Sequence, residues 1–588
     1  MLSFSDIRNL QLGGPADASA VVAAMLGGAL TSPLALGLGP AGILIGAGLS
    51  AAGGGWIGKR FAEAMRLDVL EEGSKLAINS SPPPPFDPDG VHLGFIAETG
   101  EPLVIPRDSW VRHGMILGNT GVGKTVLGEW LMFQQILKGG GITWIDGKLD
   151  AGNLEKLWAM CAYAGREDDL LVVNPGNPEV SNTYNPLLDG DADEIAARCV
   201  SLIPTAENNA GADYYRQSST IAITTLVESI QSLGKAYDFS DLRLLLTNDR
   251  ALTWLLDRVG VDSDTGRELS LFLEQFRSGG RPGSPAGSIA LDRLRQVFGG
   301  LGSRLTQFGQ GKFGKVMNTY NPEVRLKDCI LGNKILYVML PTMGKSEAAS
   351  ALGKMVIGDL RSAVAMVQAL PVEKRPSPYY LSFFDEAGSY VTQAWSRMFE
   401  QARSAHLVMV PAFQTKANLE VIGEELRAMV SGNTTTKVFF QPGEPDTAQW
   451  MADMIGEELQ TEYSVSASAA TSHKDTAITE RLSRGSVDTD TKNNNIGYSE
   501  RLVSGYKIEP SDLSKLGLGE CIVTWKGSHV YHVRVPRLTF DKQFLDEIGP
   551  FRIPRSRPRS VNGMNLIEEM APKRKGDGER ADSDDYIE

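Results

Sequence analysis

The octapeptide GNTGVGKT at residues 118–125 restricts the possible folds of this 588-residue chain more than any other feature. It satisfies the pattern GxxxxGK[ST]. The apolar run GMIL precedes it, and a helix-like segment, TVLGEWLMFQQIL, begins at its last residue. In such a strand–loop–helix unit the glycines let backbone N–H groups wrap phosphate oxygens at the helix N-terminus. The pattern therefore predicts an α/β fold with a P-loop nucleotide site.

The residues of this loop divide the work of binding ATP and Mg²⁺. Lys124 is expected to neutralise the β- and γ-phosphate oxygens, and Thr125 to bind Mg²⁺. The predicted nucleotide-binding residues are Gly118, Asn119, Thr120, Gly121, Val122, Gly123, Lys124 and Thr125.

A second motif, LSFFDEAG, places two acidic residues directly after a buried strand. Asp385 is the expected second Mg²⁺ ligand, and Glu386 the expected base that polarises the attacking water. An acidic pair after an apolar run is common at protein surfaces. In the same sheet as a P-loop, however, the pair predicts ATP hydrolysis.

Two further polar residues complete the candidate site. Arg403, in EQARSAH, is interpreted either as an arginine finger for a neighbouring subunit's γ-phosphate or as a surface arginine. Gln414 ends the strand-like run LVMVPAFQ and is interpreted either as a γ-phosphate sensor or as an ordinary strand-end amide.

Near-continuous apolar runs separated by helix-like segments predict a mostly parallel sheet covered by helices. Between residues 188 and 315 amphipathic helical patterns replace these runs, which predicts an inserted all-α domain. The predicted strands are GMIL (114–117), ITWID (142–146), LLVVN (170–174), ILYVML (335–340), LSFFDE (381–386), LVMVPAF (407–413) and KVFF (437–440), with a hairpin at 520–535.

These patterns divide the chain into five predicted regions. Two halves of a nucleotide-binding domain flank the helical insertion, and two flexible stretches are expected at 277–288 and 464–499. The regions are an N-terminal membrane anchor (1–80), the first half of the nucleotide-binding domain (81–187), the all-α insertion (188–315), the second half (316–545) and a flexible tail with an acidic end (546–588).

Residues 18–58 contain no Asp, Glu, Lys, Arg or His. Because a bilayer core needs about 20 apolar residues per helix, this length fits two short spans in a membrane hairpin or one longer span. A soluble Gly/Ala-rich helical hairpin is the alternative. The basic residues Lys59 and Arg60 follow directly and favour a cytoplasmic location for the rest of the chain.

The overall charge limits the kinds of partner. With 58 basic and 71 acidic residues, the net charge of −13 excludes a broadly basic nucleic-acid-binding face, so any such contact has to be local. The four cysteines fit neither a zinc pattern nor a disulfide framework, and we expect them to be buried apolar residues.

Together these motifs resemble the coupling-protein ATPases of type IV secretion and conjugation systems, the TraG/TraD and DotL type. Those proteins are RecA-like motors related to FtsK and HerA. The matching stretches run in family order over residues 110–535: GNTGVGKT, WIDGKLD (144–150), TYNPL (183–187), FGQGKFGKV (308–316), KILYVMLPTMGKS (334–346), FFDEAG (383–388), QARS (401–404) and FQTKANL (413–419).

The resemblance implies a homo-hexamer in the bacterial inner membrane, with most of the chain cytoplasmic, that works with other type IV secretion components. Its cargo would be a relaxase–single-stranded DNA complex driven into the secretion channel by ATP hydrolysis. Protein effectors are the alternative cargo, and a nucleotide-gated docking platform is the alternative activity. The resemblance also favours Arg403 as a trans-acting finger. The segment FGQGKFGKV interleaves Lys312 and Lys315 with phenylalanines, which we interpret as a pore loop for a DNA strand or as a solvated loop.

Overall fold

The computed structural model describes residues 65–69, 76, 78–203, 210–277, 287–344, 346–471, 492–553 and 561–571. The strands are β1 (Met65–Asp68), β2 (Val91–Ile96), β3 (Pro102–Ile105), β4 (Gly114–Leu117), β5 (Ile142–Asp146), β6 (Leu170–Val173), β7 (Ile335–Met339), β8 (Tyr380–Asp385), β9 (Leu407–Phe413), β10 (Thr436–Phe440), β11 (Glu457–Thr471), β12 (Lys492–Tyr506), β13 (Glu520–Trp525), β14 (His529–Arg534) and β15 (Arg537–Phe540).

The α-helices fill the segments between these strands. In chain order they are α1 (Arg107–Trp110), α2 (Lys124–Leu137), α3 (Ala151–Tyr163), α4 (Ala192–Val200), α5 (Ala210–Ser232), α6 (Phe239–Thr247), α7 (Asp249–Val259), α8 (Asp264–Glu274), α9 (Leu291–Gly309), α10 (Gly311–Met317), α11 (Leu326–Leu331), α12 (Ser346–Gln368), α13 (Met398–Gln401), α14 (Ala417–Glu420), α15 (Glu424–Asn433), α16 (Pro445–Ile455), α17 (Pro510–Leu513), α18 (Lys542–Ile548) and α19 (Leu566–Met570).

One large mixed sheet organises the molecule, with strand order β3-β2-β14-β13-β10-β4-β9-β8-β5-β7-β6. From β10 to β6 all neighbours are parallel, whereas β13, β14, β2 and β3 extend the sheet with antiparallel pairs. Every residue of β4, β5, β7, β8 and β9 is buried. This agrees with the apolar runs that predicted them, because helices cover both faces of a parallel sheet. The α/β class and the mostly parallel central sheet are therefore observed.

Between β6 and β7 the described chain forms helices and connecting loops, with isolated bridges but no strand. A buried polar cluster fastens this helical part to α12. Arg198 on α4 lies 3.3 Å from Asp359 on α12, and both side chains are buried. The hydroxyl of Tyr184 donates a 2.7 Å hydrogen bond to the same carboxylate, and Arg198 donates another to Ser362.

The structure corrects two expectations about loops. FGQGKFGKV lies at the end of α9 and in α10, with Phe308 and Phe313 buried among helices, so these rings cannot stack on bases of a DNA strand. Of the polar run predicted to be flexible at 464–499, residues 464–471 and 492–499 instead form part of β11 and β12, which pair antiparallel from Glu457↔Tyr506 to Thr471↔Lys492, and residues 472–491 lie outside the described residues. Its alternating serines and apolar residues carried a strand period that composition concealed.

The described residues test the prediction for the C-terminal tail but not the prediction for the N-terminal membrane anchor. The proposed membrane hairpin at 18–58 lies outside the described residues, and no described helix combines the length and apolarity needed to cross a bilayer. Within the predicted flexible tail, residues 561–571 are packed rather than loose. Met564 and Leu566 are buried, and the Leu566 N–H donates a 3.0 Å hydrogen bond to Asp241 on α6.

All four cysteines are buried and unbonded to one another, as expected.

Candidate nucleotide site

The loop between β4 and α2 has the conformation that its glycines allow. Gly123 has a φ of 119°, a region that side-chain-bearing residues rarely adopt. A Cβ atom on Gly118 would lie 2.5 Å from the Cβ of Phe440, so only glycine fits against β10 there. From the other side, the Gly519 N–H donates a 3.0 Å hydrogen bond to the carbonyl of Val122. The loop is thus held by residues far away in sequence.

The side chain of Lys124 lies inside this loop and is hydrogen-bonded to its backbone. Its Nζ donates hydrogen bonds to the carbonyls of Gly118, at 2.8 Å, and Asn119, at 2.7 Å, and the side chain is buried. Burial lowers the pKa of its ammonium, while the carboxylates of Asp385 and Glu386 act in the opposite direction. A cation held here is placed to meet phosphate oxygens cradled by the loop.

The two predicted metal ligands lie together. The hydroxyl of Thr125 donates a 2.9 Å hydrogen bond to Oδ2 of Asp385, although 260 positions separate them in sequence. Burial raises the pKa of Asp385, and the bond from Thr125 opposes this rise. One hydroxyl and one carboxylate beside a phosphate-binding loop form an oxygen donor set that fits Mg²⁺. The residues therefore suit the predicted nucleotide and metal.

Glu386 follows in an unusual backbone conformation, with a φ of 54°. Its Oε2 accepts a short hydrogen bond from Nε2 of Gln414, so the structure brings these two predicted residues into contact. Its Oε1 lies 2.5 Å from Nζ of Lys148, with the two side chains 18% and 46% exposed respectively. Lys148 was not among the predicted site residues. Its position just beyond β5, the neighbour of β8 in the sheet, is the signal that could have identified it.

Asp146, the last residue of β5, fixes the segment that carries Lys148. Its carboxylate accepts hydrogen bonds from the Tyr337 hydroxyl at 2.7 Å, from Asn153 at 2.9 Å and from the backbone N–H of Lys148 at 2.8 Å. Burial, together with the nearby Asp385, raises the pKa of Asp146 to about 6. The segment after β5 is therefore anchored at its base, while its lysine reaches the site.

Arg403 lies away from this cluster. It is exposed in the turn Ala402–Ala405, just before β9 begins, whereas Gln414 follows the other end of that strand. A seven-residue strand spans about 20 Å, so Arg403 is at the opposite edge of the sheet from the P-loop of its own chain. Its guanidinium does not reach the nucleotide site within one chain. An exposed position at this edge is compatible with a finger directed at another subunit and with an ordinary surface arginine.

Comparisons with known proteins agree with this architecture. A family model described as the TraM recognition site of TraD and TraG matches residues 380–505, from β8 to β12. The type 4 coupling protein DotL of Legionella pneumophila is 25% identical over 459 residues, covering 67% of this chain and 56% of DotL. The chain is similar to the type IV coupling proteins.

Solved coupling proteins share the fold. The unbound conjugative coupling protein TrwB, lacking its first 70 residues, superposes with a TM-score of 0.51 at 14% identity, over 85% of this chain and 97% of the TrwB chain. TrwB in complex with ADP and Mg²⁺ gives a TM-score of 0.52 at 15% identity, over 81% and 96% of the two chains. At this identity the likeness establishes the α/β fold of the coupling proteins. The chain spans little more than half the length of its curated relative DotL.

Proposed function

We propose that this chain is the ATP-hydrolysing coupling protein of a type IV secretion or conjugation system, which recruits a relaxase–single-stranded DNA complex and drives it into the secretion channel. The observation that carries the proposal is the hydrogen bond between Thr125 and Asp385, with Glu386 adjacent. A docking platform without hydrolysis has no need of a base beside the metal ligands. The structures of TrwB with ADP and Mg²⁺ and with a non-hydrolysable ATP analogue support the nucleotide class.

Each site residue has a chemical role in this proposal. Lys124 and the backbone N–H groups of residues 118–125 bind the phosphates, and Thr125 and Asp385 hold Mg²⁺. The bound ion neutralises charge on the phosphate oxygens. Glu386 accepts the proton of the attacking water, and Gln414 orients the Glu386 carboxylate through its amide.

The position of Arg403 supports assembly into a ring. An exposed guanidinium at the far edge of the sheet contributes to hydrolysis only if a neighbouring subunit presents its nucleotide there. We therefore propose a homo-hexamer in which each site is completed in trans. Anchoring in the bacterial inner membrane through residues 18–58 belongs to the same proposal.

The nature of the cargo depends on different observations. The likeness in fold to TrwB, a conjugative coupling protein of a plasmid, favours DNA. The burial of Phe308 and Phe313 removes one sequence argument for a strand-gripping loop, and the net charge of −13 requires any DNA contact to be local. The likeness to DotL keeps protein effectors as the second candidate cargo.

The deciding experiment measures ATP hydrolysis by the full chain in detergent, with and without single-stranded DNA, alongside Lys124→Ala as the inactive control. Stimulation of several fold by single-stranded but not double-stranded DNA is expected. A rate of ATP hydrolysis that does not change when DNA is added would favour protein effectors as the cargo. Nucleotide binding without hydrolysis under any condition would leave only a docking platform.

A further inference from the structure

The side chain of Glu386 is engaged at both of its carboxylate oxygens. Oε2 accepts the hydrogen bond of Gln414, and Oε1 pairs with the ammonium of Lys148 at 2.5 Å. A carboxylate that is to take a proton from water needs an oxygen lone pair that the water can reach. In the observed arrangement Oε2 accepts from Gln414, and Oε1 is buried against the Lys148 ammonium.

The backbone reinforces this arrangement. Glu386 has the left-handed φ of 54°, which directs its side chain toward the segment after β5. A Cβ atom on Gly147 would lie 2.7 Å from the Cβ of Glu386, so the two segments approach this closely because Gly147 has no side chain. The Gly147 N–H also faces the Asp385 carbonyl at 3.4 Å. Lys148 therefore projects from a segment packed directly against the base.

The two partners of Glu386 differ in how easily they can leave. Gln414 directly follows the buried strand β9, whereas the side chain of Lys148 is 46% exposed on a flexible four-carbon stem. An ion pair whose cation is this exposed is weak, because water screens it and the long side chain loses entropy when it is fixed. Opening the Lys148 contact frees Oε1, while Gln414 keeps the carboxylate oriented.

We propose that Lys148 is a positioning residue that restrains Glu386, and that ATP hydrolysis requires the Lys148–Glu386 ion pair to open. The inference rests on the proposed ATPase function and adds to it a restraint located in the segment after β5.

The test compares steady-state ATP hydrolysis of Lys148→Ala, Lys148→Arg and the wild-type chain. Lys148→Ala is expected to raise kcat without cargo by about two- to fivefold, the range of a lost exposed ion pair, with KM for ATP unchanged. Lys148→Arg, which retains the cation, should return kcat toward the wild-type value. A matched control is Lys334→Ala, which removes a 39%-exposed lysine paired with Asp169 at the opposite edge of the sheet.

Either of two kinetic outcomes would overturn the inference. An unchanged kcat in Lys148→Ala would remove the restraint, and a fall comparable to that of Lys124→Ala would make Lys148 a group that stabilises the transition state. A double-mutant cycle of Lys148→Ala and Glu386→Ala, followed by urea unfolding, tests the pair independently of activity, and additive effects on the midpoint would show that it does not form. If the wild-type chain does not hydrolyse ATP but the double-mutant cycle shows non-additive effects, the ion pair forms and the proposed ATPase function is refuted. The restraint on hydrolysis is then refuted with it.

Discussion

Thr125 Oγ1 donates a hydrogen bond to Asp385 Oδ2 at 2.9 Å, joining the first turn of α2 to the carboxyl end of β8. Strand β9 lies between β4 and β8, so the contact spans the sheet at the edge where loops and ligands meet in open α/β folds. The consequences of this arrangement can be measured one side chain at a time.

Replacing Lys124 with alanine should abolish ATP binding and hydrolysis while leaving the fold intact. The ammonium contacts the carbonyls of Gly118 and Asn119, so its loss removes the phosphate cation without opening the core. Fluorescent nucleotide titration and circular dichroism melting measure the two effects. Retained nucleotide affinity would show that the phosphates bind elsewhere.

Glu386→Gln should bind ATP normally but lower kcat by about 10²–10⁴-fold, because an amide cannot accept the water's proton. The substitution retains an oxygen acceptor for Gln414 and changes the shape very little. Quenched-flow measurements of one turnover separate the chemical step from product release. Turnover at the wild-type rate would remove Glu386 from the reaction.

Arg403→Ala subunits mixed with Lys124→Ala subunits should recover part of the lost activity if the arginine acts in trans. Interfaces that take the P-loop from an Arg403→Ala subunit and the arginine from a Lys124→Ala subunit then have both residues intact. Arg397→Ala, which removes another exposed arginine from the same segment, is the matched control and should hydrolyse ATP at the wild-type rate. Failure to recover activity at every mixing ratio would exclude the trans finger.

Asp359→Ala should destabilise the chain by about 3–5 kcal/mol, because it leaves the buried Arg198 guanidinium without its counter-charge. Replacing both residues with Met and Leu should cost less than the single change. Asp264→Ala removes the exposed partner of Arg267 and is expected to change the free energy of unfolding by less than about 0.5 kcal/mol. Equal losses for the buried and exposed changes in urea unfolding would contradict this ranking.

The charge of Asp241 should make folding depend on pH. Burial, and next the neighbouring Asp238, raise the pKa of Asp241 to about 6 in the folded chain, above its ordinary value of 3.8. The folded state therefore binds the proton more tightly, and stability falls as pH rises through this interval. Relative to Asp241→Asn, the wild-type chain should lose about 2–3 kcal/mol between pH 4 and 7 in urea unfolding. A difference that does not vary with pH would exclude the shift.

Sequence patterns were sufficient for the central strands and the nucleotide loop, because these depend on local rules. Buried parallel strands need continuous apolar runs, and a phosphate loop needs glycines at fixed spacing. The acidic pair at 385–386 could be placed beside the loop for the same reason, since both follow buried strands at one edge of the sheet.

The remaining features depend on tertiary contacts that spacing does not encode. Phe308 and Phe313 share a segment with lysines and glycines, and only the packing of α9 and α10 shows that both rings are core residues. Lys148 lies within the matched stretch WIDGKLD, but its contact with Glu386 becomes visible only when β5 pairs with β8. Strands β2 and β3 were not predicted from the sequence. Strand β2 joins the central sheet by pairing with β14, which lies near the far end of the chain.

The hydrogen bond from Gly519 to Val122 has a consequence for biosynthesis. Gly519, which holds the nucleotide loop, is translated about 400 residues after the loop itself. Strand β10, which lies against Gly118, follows the loop by about 320 residues. A nascent chain emerging from the ribosome therefore carries the GNTGVGKT segment long before its supports exist. A product that terminates before residue 519 would contain the motif without the hydrogen bond that holds the loop.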